Sequence, residues 1–187
     1  MGVSMELAGS TYLYTLAQLS MAFVAFSTIV VVFRLGMGAT LSKAHLLVIR
    51  LYIELGLMAT GFSMLPMLLA VIGWPHATVW RISSVIGVMV GSWWLLVFPR
   101  RHHASTSRPM PKFVYVQYLI SWIVILYLFT NVVGYPFEPF IGPNALATTW
   151  MLVSATLTYS LTMVGFLQSN VTKDLQEQTK QTEAHTP

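Results

Sequence analysis

The sequence predicts an all-α, polytopic membrane helix bundle of five transmembrane helices, N-out and C-in. Three observations predict it. Hydrophobic residues make up 56% of the 187 positions and charged residues only 9%, against roughly 25% charged in an ordinary soluble domain. Six acidic and ten basic side chains are too few to coat a soluble chain of this size. The apolar residues gather into five runs near the ~20-residue length that crosses a bilayer. Finally, the lysines and arginines fall almost wholly on one side of those runs.

Span one runs from about Tyr12 to Phe33, closed by Arg34 and the turn Gly36-Met37-Gly38. It has no basic segment before it and no small-residue cleavage site, so it reads as a retained helix rather than a removed signal. Span two runs from about Ala44 to Ile72, with Ser42 as N-cap. It exceeds the crossing length, so its first turns lie in the interface or the helix tilts. Pro66 sits inside it and is expected to kink it, because proline lacks a backbone donor and crowds the preceding turn. Span three runs from about Val79 to Phe98, ended by Pro99-Arg100-Arg101. Span four covers about Phe113 to Val133, and span five about Ala145 to Leu167. One bundle thus occupies residues 1–167, and the polar residues 168–187 read as a helical extension fraying into a cytoplasmic tail.

Each span reads as helix because lipid offers no partner for backbone polar groups, which must pair within the segment or in a closed barrel. Barrel strands are about ten residues long and alternate in hydrophobicity. These runs are longer and continuous.

Orientation follows from the basic residues. With the N-terminus outside, the inner segments carry Arg34, Lys43, Arg50, Arg100, Arg101, Arg108, Lys112, Lys173 and Lys180, and the outer segments only Arg81. Positive charge stays on the cytoplasmic side. Tyr12, Tyr14, Trp74, Trp80, Tyr135 and Trp150 are expected at the outer interface, with Trp93, Trp94, Phe98, Tyr115 and Tyr118 towards the inner one. An odd helix number and no internal repeat argue against a duplicated transporter with inverted halves.

Few residues within the spans carry chemistry. Arg50 and Glu54 lie four apart on one helix face and can pair. An ionisable pair at membrane depth is a functional candidate. If the hydrocarbon begins near Leu51, the pair is instead interfacial and Arg50 snorkels outward. Ser83, Gly87 and Gly91 share a stripe with the spacing that lets helix backbones approach closely, so they read as packing. Ser154, Thr158 and Thr162 form a hydroxyl stripe, read as packing or as the wall of a hydrated path. The outer segment Gly134 to Asn144, with three prolines, reads as a stiff turn folded onto the bundle mouth, and as a lid in the alternative. Asn131, one turn before it, is placed to bond that segment or a neighbouring helix.

Several classes are disfavoured. There are no cysteines, which removes disulfides and thiolate chemistry. His45, His76, His102, His103 and His185 fall at span ends, in loops or in the tail, so no paired-histidine haem site and no metal site is expected. No cofactor is expected, nor a nucleic-acid partner, because the basic residues serve topology. Asn170-Val171-Thr172 matches a glycosylation sequon on the side where that machinery is absent.

The run Leu19 to Arg34, the Leu65-Pro66 step and the Asn131 to Gly134 exit resemble small multi-pass bacterial inner-membrane proteins. The resemblance implies a bacterial inner membrane and supplies no activity. The Pro-Pro-x-Trp pattern of five-helix tryptophan-rich translocator proteins is missing, which sets that family aside.

Two function classes follow. One is a non-enzymatic accessory, scaffold or sensor protein acting through helix contacts, with the bilayer and a membrane-protein partner. The other is a small homo-oligomeric channel or transporter with a path along the span-five hydroxyls.

Overall fold

The structure is a computed structural model that describes the backbone of residues 7, 9–36, 43–105, 111–134 and 138–184, and the side chains within these except 34, 43, 44, 105 and 165–184. Five helices follow in order: α1 (Ser10–Gly36), α2 (Lys43–Val71), α3 (His76–Ser105), α4 (Lys112–Val133) and α5 (Ile141–Ala184). Among the described residues, four stretches are long and apolar enough to cross a membrane: Ser10–Phe33, His45–Val71, His76–Ala104 and Lys112–Val133. The expected Ser42 cap, the turn at Met37-Gly38, Arg108 and the residues Tyr135 to Phe137 lie outside the described residues, as do the side chains of Arg34, Lys43, Lys173 and Lys180.

The packing is inverted relative to a water-soluble protein. Ser20, Ser27, Ser63 and Ser84 are fully buried, while Phe33 is 69% and Trp93 70% exposed. Small hydroxyls thus share the interior with apolar side chains, and many large apolar side chains face outward, which is the arrangement lipid favours.

The helices run up and down. The start of α1 (Leu13, Leu16) packs with the end of α2 (Met67), the start of α3 (Val79, Trp80) and the start of α5 (Ile141). At the opposite end, Glu54 near the start of α2 meets Trp94 and Arg101 late in α3. Helices α2, α3, α4 and α5 form a ring in which each neighbouring pair is packed; α3 also touches α5, and α2 does not touch α4 among the described residues. Helix α1 lies outside the ring against α2 and α5. Gly56 permits that approach: a Cβ there would collide with Val24, and the α1 carbonyl of Ser20 is 3.8 Å away. An edge-to-face trio of Phe23, Tyr52 and Tyr159, with centroids 5.3–6.2 Å apart, binds α1, α2 and α5.

Several expectations need correction. Helix α3 does not end at Pro99 but continues to Ser105. A proline strips the carbonyl four residues earlier of its donor, here that of Leu95, and Tyr118 of α4 donates its hydroxyl to that carbonyl at 3.3 Å. The stiff segment at Gly134 to Asn144 is not loop throughout. Gly134, with φ of 73°, caps α4, but α5 already begins at Ile141. Pro143 is compatible with this because the first helical turn leaves its N–H groups unbonded. Trp80 is no interfacial anchor: it is only 4% exposed and belongs to the core cluster of the α1 and α2 termini.

Pro66 is buried within α2, and the helix runs on to Val71. The residues from Gln168, expected to fray, remain helical to Ala184.

Candidate functional site

The ring is fastened at one end by a polar knot. Ser84 on α3 donates to the Trp80 carbonyl at 2.7 Å, as a buried serine in an apolar helix does. Its oxygen also accepts from Asn131 of α4 at 3.2 Å and from Asn144 of α5 at 2.9 Å. Asn131 further donates to the Phe140 carbonyl at 2.8 Å and accepts from the Phe140 N–H at 3.3 Å. Asn131 therefore bonds both the outer segment and a neighbouring helix. Three side chains that would each be costly in an apolar interior satisfy one another. Ser84 and Asn144 were not singled out in the sequence. The signal for Asn144 was hidden by reading it as loop.

One turn further in, each three positions along its own helix, stand Gly87, Leu128 and Ala147. Leu128 and Ala147 share one apolar cluster. A Cβ on Gly87 would lie 2.8 Å from the Leu128 side chain, and one on Gly91 would lie 3.2 Å from Ile125. The glycine stripe thus packs α3 on α4 within the chain. Ser83, on the same stripe, is buried with its hydroxyl unpaired.

Beyond this layer the ring parts around a cavity of about 320 Å³, at the low end of ligand-pocket volumes. It extends from Leu128 and Ala147 to His102 and Pro111 near the far end of the bundle. Its walls are largely apolar: Leu51 and Leu55 from α2, Trp94 and Phe98 from α3, Val124 from α4 and Trp150 from α5. It occupies the α2–α4 diagonal of the ring, where no helix contact fills the space. Trp150, expected at the outer interface, lines this cavity and donates to Ser121 at 2.9 Å.

The hydroxyl stripe of α5 faces inward. Ser154, Thr158 and Thr162 all line the cavity. Thr158 and Thr162 bond back to the carbonyls of Ser154 and Thr158 at 2.8 and 2.7 Å. Gln117 of α4 also donates to the Ser154 carbonyl at 3.1 Å.

The charged pair sits beside the cavity, in a recess that shares Leu51, Trp94 and Phe98 with it. Arg50 Nε reaches Glu54 Oε1 at 2.6 Å, Arg101 Nη1 reaches Oε2 at 2.8 Å, and Trp94 Nε1 donates to Oε2 at 3.2 Å. The carboxylate is thus held by three donors from two helices. Arg50 is 64% exposed and Glu54 26%. The sequence indicated the Arg50 partner. Arg101 was invisible because α3 was expected to stop before it. Trp94 stacks on Phe98 at 5.6 Å and so belongs to both the charged cluster and the cavity wall. His102 and His103 meet edge to face at 6.0 Å, and no group of three or more metal-ligating side chains occurs among the described residues.

These features define a helical protein with four candidate membrane spans among the described residues and an apolar cavity between helices, closed at one end by a polar knot. Comparison with protein-family models, curated proteins and solved structures returns no match to the chain. Its function is therefore read from the geometry.

Proposed function

We propose that the chain is a non-enzymatic binding protein of a bacterial inner membrane, a sensor or accessory that holds one small, mainly apolar molecule between α2, α3, α4 and α5. In this reading α5 is the fifth span, the N-terminus is outside, and the Glu54 end with Arg50, Arg100, Arg101 and Lys112 faces the cytoplasm. The cavity of about 320 Å³ carries the proposal. Native interiors pack to the density of organic crystals and rarely keep voids larger than a water. A space this large, walled by aromatic and aliphatic side chains of four helices, is a binding feature. The Glu54 cluster supports it by fastening α2 to α3 beside the cavity.

The channel reading finds less support. Ser154 and Thr158 are buried inside one chain rather than on a face open to a second copy. The cavity stops at the Gly87, Leu128 and Ala147 layer beneath the knot.

Native mass spectrometry of the protein released from lipid discs tests the proposal. One small molecule retained per chain, or one added decane- or decanol-sized probe taken up, is the expected result. Thr158→Phe, which fills the cavity, abolishes that uptake. A wild-type chain that carries nothing and takes up neither probe overturns the reading.

A further inference from the structure

We propose that the cavity takes an uncharged, flat aromatic molecule the size of a fused ring pair, seated along the row Trp94, Phe98 and His102 on α3. This rests on the binding role above and specifies its ligand. A guest arriving from lipid leaves surroundings as apolar as the walls, so apolar contact alone selects nothing. Selection must come from something the walls hold and acyl chains lack, and the walls hold aromatic rings.

Trp94, Phe98 and His102 follow one another at spacings of four along α3, and all three line the cavity. The first two rings are nearly parallel, with planes 11° apart and centroids at 5.6 Å. The His102 ring continues the row, 6.3 Å from Phe98. Phe113 and Tyr118 of α4 and Trp150 of α5 add rings from two other helices. Three of these side chains are held by their polar ends. Trp94 Nε1 donates to Glu54, the Tyr118 hydroxyl to the Leu95 carbonyl and Trp150 Nε1 to Ser121. Pinned in this way they do not fold into the space and fill it. With their donors spent, what they offer a guest is ring. Contact between rings adds to what area burial alone gives, and lipid chains supply none of it.

Polar recognition has little to work with. The Ser154 hydroxyl and His102 Nδ1 lack hydrogen-bond partners, but both atoms are buried, with almost no area for a guest to touch. His102 therefore joins the wall as a ring. Thr158 and Thr162 donate to helix carbonyls, Ser121 to the Gln117 carbonyl, and Gln117 Nε2 to the Ser154 carbonyl. Gln117 Oε1 keeps an acceptor at the wall, which distinguishes among aromatic guests rather than between aromatic and aliphatic ones. Among the described residues no lysine, arginine or carboxylate lines the cavity, and Glu54 and Arg101 lie in the adjoining recess. A charged guest would be buried without a counter-charge. The size follows from volume: about 320 Å³ at the ~30 Å³ share of a liquid water leaves room for roughly ten heavy atoms, those of a fused ring pair.

The test compares naphthalene with decahydronaphthalene, its saturated counterpart on the same skeleton, and with 2-naphthoate under alkaline conditions that keep histidine neutral. Each is added at the same mole fraction of lipid to the full chain in lipid discs. The guest held in excess of protein-free discs is measured by chromatography of the extract. Wild type is expected to prefer naphthalene over decahydronaphthalene by about fivefold, the worth of one aromatic contact, and to exclude 2-naphthoate. Phe98→Leu removes the middle ring and keeps the wall apolar. It is expected to hold decahydronaphthalene as before and to lose most of the preference. His102→Leu, at the partly exposed end of the row, is expected to shift the preference the same way and stands in if Phe98→Leu does not fold. Equal uptake of the two ring systems by wild type, a preference undiminished in the folded variant, or uptake of 2-naphthoate to the level of naphthalene overturns the aromatic assignment and leaves the binding role standing. Failure of wild type to hold either ring system overturns the binding role itself.

Discussion

Asn131 does the work of several residues. It holds both backbone groups of Phe140 and contacts Ser84, so it fixes the entry of α5 and joins α4 to α3. Asn131→Ala strands the Phe140 N–H and carbonyl and removes one of the two asparagine partners of Ser84, at an expected cost of about 2 kcal/mol. Chemical unfolding in mixed micelles measures it, and an unchanged midpoint contradicts the network. Its role was legible because an amide one turn from a proline-rich turn has few other uses. The Glu54 cluster was half legible. The i to i+4 pairing with Arg50 is a local rule, whereas Trp94 and Arg101 come from positions 40 and 47 residues away. Glu54→Gln is expected to lower stability by about 1 kcal/mol, since both pairs are partly exposed and screened. The loss should shrink in high salt, and a salt-independent loss would contradict an electrostatic origin.

At the scale of helices, the apolar runs located all five elements because spanning length and backbone satisfaction leave little choice. Their ends were harder. α3 passes Pro99 because Tyr118, on another helix, replaces the missing donor to Leu95. No rule confined to neighbouring residues can anticipate such a rescue. Tyr118→Phe is therefore expected to destabilise the chain by about 1 kcal/mol and to speed amide exchange in residues 99–105, leaving the first half of α3 protected. Uniform exchange along α3 would deny the rescue. Gly87 and Gly91 announced a close helix contact but not its partner, which is α4. The matching approach of α1 and α2 at Gly56 was overlooked, although Gly56, Thr60 and Ser63 mark a run of small residues in α2. Gly87→Leu drives its side chain into Leu128 and should sharply reduce folded yield. Gly87→Ala asks only a flexible methyl end to move and should remain folded.

For the whole molecule, the cavity emerges only when four helices are set side by side, and no single stretch of sequence carries it. Each wall residue reads alone as an ordinary lipid-span residue. The inward hydroxyl stripe of α5 was visible, but its neighbours were not. Helix α5 is the one that packs against all the others. Protein surrounds its hydroxyls at Thr148, Ser154 and Thr158, while Thr156, which is exposed, bonds back to its own helix. The proposed topology places the C-terminus in the cytoplasm. A C-terminal tag should be shielded from protease in intact cells and cleaved in inverted vesicles, and the reverse pattern inverts the orientation.

The knot of Ser84, Asn131 and Asn144 has a kinetic corollary. Closed at the knot, the cavity offers no straight passage along the bundle from one end to the other. An incoming molecule cannot push the resident out ahead of it, so the resident must depart first. Its escape rate should then be indifferent to how much competitor waits outside.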